Sequence, residues 1–364
     1  MKIVTVIGAR PQFIKAGSVS REIRARQKTG ADIEEIIVHT GQHYDENMSE
    51  VFFREMQIPK PKYFLGVGGI SHGAMTGQMV EKIERVLLRE RPDLVLLYGD
   101  TNSTLAGAIA ASKLCIDVAH VEAGLRSFNM SMPEEVNRVL VDRISTYLFC
   151  PTQAAMDNLS NEGIAKWQNN TTLVLTGDVM LDGAKFYGAI SKRPENLDIS
   201  DDFILCTIHR AENTDNPRKL VNIFSALHEI AEETTIVLPI HPRTRKIVSE
   251  LEINIKSEGL QLIEPVGYLG MVWLINNCSL VMTDSGGLQK EAYFFRKPCV
   301  TLRDETEWVE LVELGANLLC SANQDDILAA YKVSKNIDGS KFRNELYGAG
   351  RASKQIMDVL LGAY

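Results

Sequence analysis

The sequence predicts an α/β protein built from two doubly wound, Rossmann-like halves. Three observations carry that expectation. Short apolar runs rich in β-branched residues recur along the chain, segments of helical period separate them, and the rhythm pauses once before starting again. Continuous rather than alternating apolar runs mark strands buried on both faces, as in parallel sheets. Their alternation with helices is the doubly wound arrangement.

In the first half the strand runs are KIVTVIG (2–8), IEEIIVH (33–39), LVLLYG (94–99), DVAHVE (117–122), YLFC (147–150) and TLVLTG (172–177). Between them, AMTGQMVEKIERVLLRE and STLAGAIAASKL place apolar residues at helical spacing. The pause covers residues 178–202, where KRPENLDISDD reads as a linker. The second half repeats the pattern with FILCTIH (203–209), TIVLPI (235–240), LQLIEP (260–265), SLVMTD (279–284), PCVTLR (298–303) and ANLLC (316–320). The final RASKQIMDVLLGAY is amphipathic and is expected to dock as a helix. The expected domains are therefore 1–178 and 179–349, with 350–364 packing back on the first. Two such halves imply a cleft between the carboxyl ends of two sheets, where ligands bind in open α/β folds.

Composition narrows the function classes. The chain has 364 residues, enough for two domains, and its 45% hydrophobic and 24% charged content excludes a disordered chain. A net charge of −8 lacks the basic footprint of a nucleic-acid or anionic-membrane binder, so a phosphorylated ligand needs a local cationic pocket. The six cysteines show no metal-ligand spacing and read as buried small hydrophobes in a reducing compartment. The N-terminus enters a strand at once, leaving no room for a signal peptide, and no run reaches the length of a membrane span. A cytoplasmic protein without membrane, nucleic-acid or metal partners is expected.

Charged and glycine-containing turns follow the strands. IGARPQFIK after the first strand lacks the GxGxxG dinucleotide fingerprint, so no nicotinamide cofactor is expected. Its Pro11 suits a helix start, where Arg10 and Lys15 can face an anion or simply be solvated cations. TDSGGLQKEA joins a strand to a helix, so Ser285, Gly286 and Gly287 put backbone N–H groups at a helix N-terminus, an anion site that can equally be a plain turn. Glu291, one turn on, sits where a carboxylate accepts from ribose hydroxyls. His209 and Arg210 in TIHRAENTD, and His241 in LPIHPRT, end strands of the second half. In the first half Asp100, Glu122 and Glu134 fall at strand ends or a helix start, where carboxylates also serve as caps. Their convergence on one side, opposite the cations of the other half, sets them apart.

Taken together, IGARPQFIK, YGDTNSTLAG, HVEAGLRSF, MPEEVNRVLVD, HRAEN, TDSGGLQKEA and RDETEW resemble the non-hydrolysing UDP-N-acetylglucosamine 2-epimerase family, nearly end to end and in the same order. The resemblance implies a glycosyltransferase-B-type fold, a homodimer and a UDP-sugar substrate without added cofactor. It carries catalytic roles onto Asp100, Glu122, Glu134 and His209, with Arg138 in support. The expected UDP-sugar-binding set is Arg10, Gln12, Lys15, Arg210, His241, Ser285, Gly286, Gly287, Glu291 and Arg303.

The chemistry suits such residues. C2–H of a 2-acetamido sugar has no neighbouring carbonyl, so either NAD oxidises an adjacent carbon, for which the fingerprint is absent, or UDP leaves C1 first and makes the proton acidic. Cations and N–H donors stabilise the leaving diphosphate, and carboxylates move protons on either face. Three departures from the family pattern point to the branch acting on UDP-2,3-diacetamido-2,3-dideoxy-glucuronate, an enzyme of surface-polysaccharide synthesis. Gln12 replaces a common Glu, Lys290 makes QKEA of QEEA, and Trp308 with Val309 makes TEWVE of TERPE. UDP-N-acetylglucosamine itself is the alternative substrate, and a glycosyltransferase sharing the fold is the alternative class. The segment QHYDENMSE, with Tyr44 and Asp45, departs from the family's allosteric site, so substrate activation is not expected.

Overall fold

The computed structural model describes residues 1–42, 53, 57–167, 170–195, 197, 199, 202–253, 257–342 and 346–364, with the side chain of Arg10 excepted. The QHYDENMSE segment beyond Gln42 lies outside the described residues. The chain divides into two compact units, Met1–Lys185 with Asn344–Tyr364, and Phe186–Arg343.

The first unit holds β1 (Lys2–Ile7), β2 (Glu34–His39), β3 (Tyr63–Phe64), β4 (Leu94–Tyr98), β5 (Asp117–Val121), β6 (Tyr147–Cys150) and β7 (Thr172–Leu175). The sheet order is β3-β2-β1-β4-β5-β6-β7, and every pairing is parallel. The second unit holds β8 (Phe203–Thr207), β9 (Thr235–Pro239), β10 (Leu260–Ile263), β11 (Leu280–Thr283), β12 (Cys299–Leu302) and β13 (Asn317–Cys320). Their order is β10-β9-β8-β11-β12-β13, again parallel throughout. Each expected apolar run contains a strand, and the two-residue β3 is an edge strand too short to leave a pattern.

Strands buried on both faces supply the cores. Val4, Val6, Val95 and Leu97 pack with Met79, Ile83 and Leu105 from flanking helices, and Ile204, Cys206, Ile236 and Leu238 pack with Ile223, Phe224 and Leu227. Each fully buried aliphatic side chain stabilises by about 1.5–3 kcal/mol, which is what fixes the strand order against solvent. Strand order reverses between β1 and β4 and between β8 and β11, and the carboxyl ends at these points are where such folds place ligands.

Two expectations need correction. The pause expected over 178–202 opens with a helix, Val179–Ile190, whose Val179, Met180, Leu181, Ala184 and Tyr187 are buried and which ends before the KRPENLDISDD stretch. The division between units falls inside this helix, after Lys185. Gly183 and Gly188 within it and the polar stretch after it mask its helical period. Cys115 is exposed at a left-handed turn (φ 55°), whereas the other five cysteines are buried and unpaired. The C-terminal helix Ala352–Ala363 docks on helix Arg10–Lys28 of the same unit, where Arg26 Nη2 donates to Asp358 Oδ1 at 2.5 Å. Asp182 caps its start, accepting from the Ala352 and Ser353 amides at 3.1 and 2.8 Å. No described helix is long and apolar enough to cross a membrane.

Candidate active site

In the first unit, Gln12 pins the reversal point. Its Oε1 accepts from the amides of Gly8 and Ala9 at 2.8 and 3.0 Å, at the end of β1. Its Nε2 donates to the Tyr98 carbonyl and to Thr104 Oγ1, both at 3.0 Å, at the end of β4. Gln12 stands three residues into its helix, where a side-chain acceptor reaching back satisfies the orphan amides of the first turn. It is buried and its hydrogen bonds lie within the unit, so it supports the turn rather than lining a binding surface, contrary to the expectation above.

The acidic groups follow from that turn. Gly99 has φ 64°, a conformation that favours glycine, and a Cβ there would sit 3.0 Å from Lys15 Nζ and 3.2 Å from Glu122 Oε2. Lys15 and Glu122 form an ion pair across this gap, each about nine-tenths buried as a side chain. Glu122 itself is left-handed at φ 74°, strain of about 1–3 kcal/mol that a non-glycine residue tolerates where surrounding structure imposes it. Next along, Asp100 Oδ2 accepts from Arg138 Nη1 at 2.9 Å, and Arg138 Nε donates to Glu135 Oε2 at 3.0 Å. Asn137 Nδ2 donates to the Asp100 carbonyl at 2.8 Å. Asp100 keeps 34% of its side chain exposed in dense surroundings. Burial raises its pKa above the ordinary 3.8, against the pull of Lys15 and Arg138, while Glu122 and Glu134 add to the rise.

Of the adjacent glutamates, Glu134 is exposed and Glu135 is buried. Glu135 accepts from the amides of Ser127 and Phe128 at 3.0 and 2.9 Å. Burial works to raise its pKa, but those two N–H groups and Arg138 outweigh it and hold the carboxylate below its ordinary range. Arg126 points elsewhere, to Asp142 Oδ2 at 2.7 Å and to both oxygens of Glu162 at 2.6 and 2.9 Å.

In the second unit a carboxylate does the pinning. Asp284, fully buried after β11, accepts from the amides of His209 and Arg210 at 3.1 and 3.0 Å and from Asn213 Nδ2 at 3.1 Å. Its Oδ1 stands 3.3 Å from His209 Nδ1, which orients the ring and leaves Nε2 as the outward nitrogen on a side chain 54% exposed. Behind it, Thr207 and Thr283 join β8 to β11 at 2.6 Å. Ser285 precedes helix Gly286–Phe294, whose first amides are the unsatisfied donors of a helix start. A Cβ on Gly286 would meet Glu307 Oε1 at 1.9 Å, so a larger residue there must displace that side chain; at Gly287 it would meet nothing within 4 Å. Glu307 Oε2 accepts from Arg303 Nη1 at 2.8 Å, and its Oε1 lies 3.9 Å from Arg210 Nη2. Arg303 is buried, and its Nε has no hydrogen-bond partner among the described residues. Glu291, also buried, accepts from the Tyr268 hydroxyl at 3.0 Å.

Within the first unit, then, Lys15, Asp100, Glu122 and Arg138 form one cluster with Glu134 close enough to act on Asp100. Within the second, His209, Arg210, Ser285, Gly286, Gly287 and Arg303 surround one helix start, with Glu291 a turn along it. His241 stands apart as an exposed helix cap, its Nδ1 accepting from the Arg243 amide at 3.3 Å. Arg10 begins its helix, and its side chain is outside the described atoms. Glu135, Asp284 and Glu307 were missed: each acts on groups brought together by folding, and only the strand-end position of Asp284 was a usable signal.

A family model described as UDP-N-acetylglucosamine 2-epimerase matches residues 25–361. The UDP-2,3-diacetamido-2,3-dideoxy-D-glucuronate 2-epimerase of Pseudomonas aeruginosa is 54% identical over 363 residues, 99% of each chain. The chain belongs to the UDP-N-acetylglucosamine 2-epimerase family. The UDP-N-acetylglucosamine 2-epimerase of Methanocaldococcus jannaschii is 45% identical, with 99% of both chains covered. Its crystal structure in complex with UDP-GlcNAc and UDP superposes with a TM-score of 0.85 at 43% identity and 99% coverage of both. The Neisseria meningitidis enzyme bound to UDP-GlcNAc gives a TM-score of 0.82 at 30% identity, with 100% of both chains covered. The fold is thus the two-domain α/β architecture of these epimerases, and this chain is an epimerase, an isomerase acting on a UDP-sugar.

Two of the departures from the family pattern touch each other in this epimerase. Lys290 is buried, and its ammonium lies 4.2 Å from the centroid of the Trp308 ring. Trp308 Nε1 donates to the Gly286 carbonyl at 2.8 Å. Like Gln12, Lys290 is buried and acts from beneath the turn.

Proposed function

We propose that this epimerase inverts C2 of UDP-2,3-diacetamido-2,3-dideoxy-D-glucuronate by eliminating UDP and adding it back. The C1–O bond breaks and UDP leaves with the electron pair. The C2 proton passes to a carboxylate, giving a 2-acetamidoglucal. A proton then returns to the opposite face of C2, and a UDP oxygen re-forms the bond to C1, so atoms and charge balance.

The residues of the first unit supply the proton chemistry in this reading. Asp100, Glu122 and Glu134 are the acids and bases, Arg138 orients Asp100, and Lys15 compensates Glu122. Those of the second unit hold the nucleotide. His209 and Arg210 meet the diphosphate, the amides after Ser285 meet its oxygens, Arg303 supplies its unpartnered N–H, and Glu291 takes the ribose. The observation that carries the reading is the cluster of carboxyls itself, with the Asp100 pKa raised by burial and Glu122 ion-paired to Lys15 beside it. The substrate choice is supported by the full-length similarity to the Pseudomonas aeruginosa relative. UDP-N-acetylglucosamine is the second reading, favoured by the Methanocaldococcus jannaschii relative.

The test incubates each UDP-sugar with enzyme in D₂O and follows it by NMR. Deuterium at C2 of an epimeric UDP-diacetamido-uronate, with slower exchange in UDP-N-acetylglucosamine, is the expected result. Equal turnover overturns the substrate choice, and free sugar or UDP released without exchange overturns the epimerase mechanism. A homodimer in the cytoplasm, where UDP-sugars are made, completes the proposal; light scattering that gives a monomer mass at assay concentration refutes the dimer.

A further inference from the structure

We propose that His120 is a positioning residue that holds the Gly99–Asp100 turn in place through a ring bearing a proton on both nitrogens. The proposal rests on the reading of Asp100 as a proton-transfer group. His120 lies inside β5, fully buried, two residues before Glu122. Its Nε2 stands 2.8 Å from the Gly99 carbonyl, which can only accept, so Nε2 carries a proton. Its Nδ1 stands 2.6 Å from Asp142 Oδ1.

Asp142 decides the second nitrogen. It is fully buried, and its other oxygen accepts from the Gly124 amide at 3.0 Å and Arg126 Nη1 at 2.7 Å. Burial disfavours its charge, but the two donors on that oxygen, one of them a guanidinium, favour the ionised carboxylate whatever the state of His120. An ionised carboxylate is an acceptor only, so Nδ1 also donates. The ring is then an imidazolium, the cation of a His120–Asp142–Arg126–Glu162 chain of alternating sign, a form in which buried charge is tolerated. On the adjoining strand the Cys150 thiol is pushed up by burial and by Asp142, so it stays neutral beside the chain.

The consequence lies at Gly99. Its carbonyl carbon is bonded to the Asp100 amide nitrogen, and a Cβ on Gly99 would stand 3.0 and 3.2 Å from the paired Lys15 Nζ and Glu122 Oε2. A charge-assisted bond from His120 therefore fixes the spacing of Asp100 and Glu122 from behind, with no contact to substrate.

Two substitutions separate this from general stability. A glutamine amide nitrogen falls near the place of Nε2 and an asparagine nitrogen near that of Nδ1. H120Q keeps the donor to Gly99 and loses the one to Asp142; H120N does the reverse. Losing alignment of a catalytic group costs about 10–100-fold in rate, so kcat for C2 inversion falls by that factor in H120N. In H120Q kcat stays within about 5-fold of wild type, and KM stays within about 2-fold in both. The melting temperature orders the other way, H120Q below H120N, because H120Q leaves the buried Asp142 Oδ1 without a donor whereas H120N still supplies one. If kcat follows melting temperature across the pair, the proposal is overturned.

A second measurement needs no variant to fold. Long-range ¹H–¹⁵N spectra of histidine-labelled enzyme at assay pH should place both His120 ring nitrogens at imidazolium shifts. One bare ring nitrogen overturns the proposal. Should the wild-type enzyme show no C2 exchange, the epimerase mechanism fails, while the spectra still decide the state of His120.

Discussion

The two units pin their strand-order reversal points with opposite kinds of side chain. In the first, the neutral amide of Gln12 ties the amides after β1 to the carbonyl end of β4. In the second, the carboxylate of Asp284 at the end of β11 gathers the amides after β8. The difference matches what each unit displays nearby: acids at Asp100, Glu122 and Glu134, cations at His209, Arg210 and Arg303. The neutral hub adds no charge beneath the acids, whereas a carboxylate under the cations compensates them and orients the His209 ring. The buried support takes its charge from the surface chemistry above it.

The widest effect should come from the acids themselves. D100N and E122Q should each lower kcat by about 10²–10⁴-fold, while UDP affinity, assigned here to the second unit, stays within about 2-fold by calorimetry. D100N carries a second signature. The folded protein holds the Asp100 proton more tightly than the unfolded chain, so ionising Asp100 opposes folding. That penalty is absent below the ordinary 3.8 and present above the raised value, so D100N should melt higher than wild type at neutral pH and equally in acid. A lower melting temperature at neutral pH would count against this reading of the site.

Next is D284N, which puts an amide donor among three donors. About 1–3 kcal/mol of stability should go with each group left unsatisfied, and kcat should fall about 10–100-fold as His209 loses its orienting carboxylate. Full activity would show that Asp284 is mere scaffold. Smaller still is G286A, whose Cβ must displace Glu307 from the Arg303 side of the turn; UDP affinity should weaken about 10-fold. The least effect on activity is expected of Q12E. The two amides keep their acceptor and kcat should stay within about 3-fold, but the Tyr98 carbonyl loses its Gln12 donor and faces a carboxylate oxygen, so stability should fall by about 1–3 kcal/mol. A large loss of kcat in Q12E would sharpen the comparison, showing that the first hub must be uncharged.

Acid should test Glu135. Its depressed pKa contributes stability above the ordinary 4.5 that is lost as pH falls through the folded value. E135Q should therefore flatten the acid limb of a melting-temperature profile.

What sequence pattern made legible is the set of local features: continuous strand runs, and the charged or glycine turns that end them. Asp100, Glu122, His209 and the Ser285–Gly287 turn stand out because each interrupts an apolar run. The supports were illegible for a physical reason. Gln12 and Tyr98, Lys15 and Glu122, or His209 and Asp284 are distant in sequence, and nothing local marks them as partners. His120 looked like one more strand residue in DVAHVE, and Glu134 could not be told from Glu135 until one proved exposed and the other buried. The helix Val179–Ile190 escaped because its glycines and polar tail imitate a linker.

The exposed thiol at Cys115 offers a practical opening. The five others are interior, and burial pushes Cys278, Cys299 and Cys320 up to about 12, where they resist alkylation. Cys115 precedes β5 and Glu122 follows it, so a maleimide dye would attach to the natural chain at the far end of the very strand that carries the chemistry. Fluorescence could then watch the enzyme at work without any engineered cysteine.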